Sequence, residues 1–244
     1  MKRKISKIVF FHYLKFISRI ILFLSAAIFY SYIKINHIEI DINEHKTLQI
    51  IVIIIEMLFL IEMTLRLFPS KIRSVGCQKH LKKVFSPKER KNNKLISKPY
   101  RTFLCALAWI AGNMIFYVLY FLKIVDKGFM VMLCLTYSIG DVICILFYCP
   151  FQMWFLKNRC CVNCRIYNWD YAFLFTPLAV IPSIYTTPLV AFSLMLLIVW
   201  EITLRIHPER FNENTNASLS CENCTEKLCQ YKIKLKKMIK ETKE

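Results

Sequence analysis

Glycine is scarce in this chain, four among 244 residues. No glycine-rich phosphate cradle is present: neither G-x-G-x-x-G nor a Walker A sequence occurs. A transporter that drives itself by ATP hydrolysis is thereby excluded in this chain. The zinc-protease pattern HExxH, the nucleophile elbow GxSxG and the CxxCxxCxxxCP run of bacterial ferredoxins are missing as well. Histidine is placed too shallowly to hold haem, with His12, His80 and His207 at or inside one edge of the apolar runs and His37 and His45 beyond the other. Acidic residues are few, 16 against 34 Lys and Arg.

What the chain has in excess is apolar length. At 56% hydrophobic residues it is too apolar for an ordinary soluble domain, and those residues come in blocks. A helix needs about 20 mainly apolar residues to cross the hydrocarbon core. Runs 16–33, 48–67, 102–122 and 129–149 meet or approach that length. Two more, 171–187 and 189–206, are divided by the turn Thr186-Thr187-Pro188. The expectation is an all-α polytopic membrane bundle of about six transmembrane helices in three hairpins. Its segments are a first hairpin over 1–67, a basic loop over 68–99, a second hairpin over 100–150, a Cys-rich loop over 151–170, a third hairpin over 171–207 and a tail over 208–244.

Charge orients the bundle, because Lys and Arg are retained on the cytoplasmic side. Lys2, Arg3, Lys4, Lys7 and Lys15 precede the first span without an acid, and the 68–99 loop holds ten basic residues against Glu89. The connection between the first two spans instead carries Glu39, Asp41 and Glu44. Six spans with both termini cytoplasmic put every basic segment on one side. Positive-inside loops account for most of the net charge of +18, so nucleic acid is not required. Arg19 interrupts the first run and no small-residue cleavage site follows, so an uncleaved span is expected rather than a signal peptide. The Lys-, Ile- and Asn-rich composition suits an AT-rich bacterial genome and hence a bacterial plasma membrane.

Two segments repeat: Ile61–Pro69 reads IEMTLRLFP and Trp200–Pro208 reads WEITLRIHP. In each, a Glu and an Arg four residues apart share a helix face, Glu62 with Arg66 and Glu201 with Arg205, and can pair as the helix leaves the bilayer. A second reading gives these residues to binding or transport. Glu56 and Asp141 fall near the middle of their spans, where a lone carboxylate costs several kcal/mol. They must be protonated, bonded to another span or exposed to a water-filled cavity, and Asn113, Tyr137 and Ser138 are candidate partners. Arg19 lies at a depth that suits Glu62. Glu56, Glu62, Asp141 and Glu201 form either a proton or cation path or a set of helix-binding contacts.

Of eleven cysteines, Cys105, Cys134, Cys144 and Cys149 lie in or at the ends of spans, where Cys packs as a small hydrophobe. The other seven collect at the inner face: Cys77; Cys160, Cys161 and Cys164 in RCCVNC; Cys221, Cys224 and Cys229 in SCENCTEKLC. A reducing cytoplasm disfavours disulfides, so the CxxC spacings point to thiolate ligation of a metal. Cys161 with Cys164 and Cys221 with Cys224 supply the four sulfurs of a tetrahedral zinc site. Cys160, Cys229 and Cys77, with His80 completing a CxxH, allow a second ion or an iron-sulfur cluster. Thiol redox chemistry without metal is a further possibility. The expected role is a non-catalytic zinc-binding membrane protein, with iron-sulfur electron transfer and proton- or cation-coupled transport as alternatives. Apolar residues Leu81, Val84 and Phe85 among the lysines of the 68–99 loop, and Tyr231, Leu235, Met238 and Ile239 in the tail, suggest amphipathic segments on the anionic inner leaflet.

Overall fold

The computed structural model describes residues 7–38, 45–69, 76–88, 99–156, 164–224 and 228–229. Among them secondary structure is helical, apart from one isolated bridge between Pro87 and Asn216. The helices are α1 (Lys7–Ile35), α2 (Lys46–Thr64, continued by a 3-10 turn Leu65–Leu67), the single turn α3 (Gly76–Lys79), α4 (Pro99–Phe121), α5 (Lys127–Leu146), the short α6 (Asp170–Phe175) and α7 (Thr186–Ile206). Five of them, α1, α2 with its 3-10 turn, α4, α5 and α7, are long and apolar enough to cross a membrane. Phe10, Ile21, Ile28, Leu58 and Ile198 point outward from these helices, as expected for surfaces that hydrocarbon covers.

The run expected as the fifth span differs from the other five. Arg165–Trp169 is a 3-10 turn, α6 adds six residues, and Thr176–Val180 is 3-10 again. Pro177 has no amide proton to return to residue 173 and crowds that carbonyl, so a regular helix cannot continue. Beside this break, Thr176 is met by α4. Tyr117 donates to the Thr176 carbonyl at 2.6 Å and Trp109 Nε1 to its hydroxyl at 3.1 Å. Trp109 also stacks on Phe173 with ring centroids 4.7 Å apart.

This broken segment runs through two packed clusters. Ile166 and Tyr167 join Val142, Ile145, Trp200, Leu204 and Phe211 at the end that carries Cys164. Leu174, Phe175, Leu178 and Ile181 join Phe59, Met130, Leu189 and Leu196 further along. Cys105 and Cys134 lie within these clusters, one in each, in keeping with a packing role.

At the opposite end, Asp126 caps α5 by accepting from the Phe129 amide at 2.8 Å, and takes further bonds from Tyr30 at 2.9 Å and Lys34 at 2.6 Å. Gly128 permits this approach of α1, since a Cβ there would stand 2.5 Å from the Tyr30 ring. Hydrogen bonds from Lys34, Phe129 and Tyr30 outweigh partial burial and hold the Asp126 carboxyl below its ordinary range. Because the folded value is depressed, the contact stabilises above the unfolded value of about 3.9 and is lost as pH falls through the folded one. Asp126→Ala is expected to cost about 1 kcal/mol at neutral pH. Thermal melts at descending pH should show wild type and variant converging, and a constant gap would contradict this.

Candidate functional site

The cysteine end is built from three pieces of chain far apart in sequence. The turn α3 packs against the 3-10 turns Leu65–Leu67, Arg165–Trp169 and Ala217–Leu219. Cys77 and His80 therefore lie beside the turn that Cys164 opens and the one that leads into Cys221. Cys164 is buried in the same cluster as Phe211 and Leu228, the neighbour of Cys229. Gln78 anchors the α3 turn to the end of α2, donating to the Leu65 and Phe68 carbonyls at 3.0 and 2.9 Å.

Asn216 locks the first and third pieces together, and no periodicity or motif in the sequence singled it out. Its side chain is fully buried. The amide donates to the Lys79 carbonyl at 3.2 Å and the Arg210 carbonyl at 2.8 Å, while its oxygen accepts from the Ser86 amide at 3.4 Å and Ser218 Oγ at 2.6 Å. Backbone bonds from Lys88 to Thr215 and from Ala217 to Ser86 continue the join. Residues 76–88 are helical only at Gly76–Lys79, rather than forming the longer amphipathic helix their pattern suggested, because the chain extends here to make these bonds. Asn216→Ala is expected to cost about 2–4 kcal/mol, since it strands buried carbonyls and an amide. Faster proteolysis of the 76–88 stretch with a lowered melting temperature would bear this out, and an unchanged melt would refute it.

His80 is the most unusual side chain of this end. It is 2% exposed, and neither ring nitrogen has a hydrogen-bond partner. The ring lies against Phe211, centroids 4.1 Å apart, with Trp200 edge-on at 6.2 Å. Burial, assisted by Lys79, pushes its pKa down to about 3, so the imidazole is neutral and has a nitrogen lone pair to offer a metal. Cys164 is buried, and Cys224 and Cys229 are half-buried. Cys160, Cys161 and the side chains of Cys77 and Cys221 lie outside the described residues. Among the described residues no three His, Cys, Asp or Glu side chains gather closely enough to hold an ion.

The charged residues found partners other than those their spacing suggested. Glu62 and Arg66 do not make an isolated pair. Glu62 receives Lys15 and Arg19, at 3.3 Å for Arg19, while Arg66 forks onto both oxygens of Asp170, Nη1 to Oδ1 at 2.6 Å. Glu201 holds Arg165 through both oxygens and Trp169 Nε1 at 2.8 Å, while Arg205 is exposed. The two copies of the repeated segment are thus used differently. Asp141 bonds Arg19 at 3.0 Å rather than Asn113, which donates to the Trp109 carbonyl and accepts from Tyr137 at 3.3 Å. Glu56 is half-buried and apart from these groups. Lys15, Arg165, Asp170 and Trp169 escaped sequence reasoning because each partner comes from a different element.

Helices of this length and apolarity place the chain among polytopic membrane proteins. No protein-family model matches it, and neither a curated protein nor a solved structure is similar to it.

Proposed function

We propose that the chain is a membrane protein whose cytoplasmic end holds a thiolate-ligated metal centre, with zinc as the metal, clamping three connecting segments together. The ligands come from Cys77, His80, Cys160, Cys161, Cys164, Cys221, Cys224 and Cys229. The observation that carries this reading is His80, buried and neutral with both nitrogens unbonded, on the turn that packs between the other Cys-bearing segments. Cysteine thiolates with a neutral imidazole are a donor set suited to tetrahedral zinc. The ion, when bound, supplies positive charge that keeps the thiols deprotonated and joins the loops.

In the same proposal the broken segment is a sixth crossing. Its two 3-10 turns rise about 2.0 Å per residue against 1.5 Å for α-helix. Residues 165–180 therefore reach roughly 29 Å, close to the ~30 Å hydrocarbon core. Both termini then face the cytoplasm, and the basic loop and tail meet the anionic inner leaflet.

Anaerobic purification of the full chain followed by metal analysis tests the centre. Zinc in near-stoichiometric amount is expected. Iron with acid-labile sulfide would replace the reading with an iron-sulfur protein, and absence of both metals would end it.

A further inference from the structure

A second polar assembly, separate from the cysteines, lies inside the bundle with Arg19 of α1 as its hub. Nη1 donates to Asp141 Oδ2 at 3.0 Å and to the Ser138 carbonyl at 2.6 Å, and Nη2 reaches Glu62 at 3.3 Å. Lys15 pairs with Glu62, and Arg66 with Asp170. Three cations thus face three carboxylates drawn from α1, α2 with its 3-10 turn, α5 and α6. At formal charges the assembly is neutral, so it calls for no bound ion of either sign.

Two hydroxyls beside these charges are left over. Ser138 Oγ and Tyr171 OH belong to residues 1% and 2% exposed, and neither has a hydrogen-bond partner among the described residues. Tyr171 stands at a boundary. Arg66 and Lys15 lie over its ring, 4.3 Å and 5.7 Å from the centroid, and Phe175 lies parallel to it at 6.3 Å. Phe175 in turn meets Phe59 edge-on at 5.4 Å, and the Arg19 guanidinium sits 5.8 Å from the Phe59 ring. Beyond these two rings the packing is apolar, through Met130, Leu174 and Leu178.

A buried hydroxyl with no partner keeps the full cost of its desolvation, and a polar site offering about two to four partners is where internal water settles. Such partners are present: each hydroxyl can give and accept, and Lys15 has three N–H groups against one carboxylate. One edge of the assembly is open, since the Lys15 and Glu62 side chains are 19% and 28% exposed while Arg19 is 5% exposed. Charges do not face hydrocarbon without heavy cost, so that edge opens toward water. Arg66 joins the assembly to the cysteine end, because its Nη1 also reaches the carbonyl of Tyr167, which packs in the Cys164 cluster, at 3.4 Å.

We infer that the assembly lines a one-sided water-binding crevice. Water enters past Lys15 and Glu62 from the end of the bundle that carries Cys164, bonds the hydroxyls of Tyr171 and Ser138, and stops at the aromatic layer of Phe59 and Phe175. The ion pairs are the walls of this crevice rather than its cargo, which is why each carboxylate keeps its cation while the hydroxyls take the water. The inference stands whether or not the cysteines hold a metal.

X-ray radiolysis of the full chain in lipid vesicles tests it, because the hydroxyl radicals form from water beside the side chains they oxidise and mass spectrometry reads the products residue by residue. Tyr171 should be oxidised about tenfold faster than Phe175, its equally buried neighbour on α6, since internal water touches one and not the other. Equal rates overturn the proposal: both slow would mean no water, both fast no apolar stop. Lys15→Met, which puts an apolar stem at the entrance, should slow Tyr171 oxidation several-fold, and an unchanged rate overturns the proposed route. Tyr171→Phe gives an independent reading. Removing a dry, unbonded hydroxyl would raise the melting temperature, whereas removing a hydrated one is expected to lower it, so a raised or unchanged melt overturns the proposal as well.

Discussion

Replacing Arg19 with leucine is expected to destabilise the bundle by about 3–5 kcal/mol at neutral pH, the scale seen when one partner of a buried ion pair is removed. Leucine fills part of the volume but abandons Asp141, Glu62 and the Ser138 carbonyl together. The loss should shrink on acidification, because the stranded carboxyls can then be protonated and no longer bury an unpaired charge. Arg19→Lys is expected to recover only part of it, since an ammonium lacks the planar fork that reaches two carboxylates and a carbonyl at once. In the double variant Arg19→Leu with Asp141→Asn, the cost should fall below that of Arg19→Leu alone, giving a coupling free energy by double-mutant cycle. Denaturation in mild detergent, followed by helical circular dichroism across pH, measures all of these. A variant as stable as wild type would mean that Lys15 alone satisfies the carboxylates.

The second large effect is expected at His80. His80→Phe keeps an aromatic ring between Phe211 and Trp200 while removing both nitrogens. If the imidazole is only a packing group, this change relieves two unbonded buried polar atoms and should stabilise the chain by about 1–3 kcal/mol. If it ligates, the purified protein should lose metal, and the segment 208–224 should open to protease as it does when wild type is treated with a chelator. Metal held at a hundredfold excess over its dissociation constant contributes about 2.7 kcal/mol. Chelation should therefore raise local opening by roughly that factor. Opposite signs make this substitution decisive: stabilisation with metal retained would remove His80 from the ligand set. Cys164→Ser supplies the parallel test on a cysteine buried in the same cluster.

Most of the helical framework was legible before any coordinates, because crossing a bilayer imposes length and apolarity that a sequence cannot conceal. Runs 48–67, 102–122 and 189–206 fall within a few residues of α2, α4 and α7. The first helix begins well before its apolar run, at Lys7, since Lys15 and Arg19 turn inward to partners on α2 and α5. A charge within an apolar run reads as an interruption until its partner is known. That Tyr117 and Trp109 would meet the Thr176 carbonyl and hydroxyl depended on which face of α4 packs there, which no apolar run reveals.

The cysteines divide the same way. Their clustering, and the assignment of Cys105 and Cys134 to packing, followed from spacing and from their place within apolar runs. That α3 would sit against the turns beginning after Cys164 and leading to Cys221 followed from bonds converging on Asn216, a residue with no neighbourhood pattern to mark it. Ion pairs were the least legible. A four-residue spacing brings Glu62 to Arg66 and Glu201 to Arg205 on one helix, a coupling worth only about 0.2–0.5 kcal/mol. Arg66 and Glu201 instead took interhelical partners that offered both arms of a fork in buried surroundings, where charge-assisted bonds are stronger. By itself, then, the sequence determined that the chain forms helices long and apolar enough to cross a membrane, because length and apolarity are properties of composition along the chain. Which carboxylate meets which cation, and which buried hydroxyls find no partner, was decided by tertiary packing, because those distances exist only between segments that the chain brings together last.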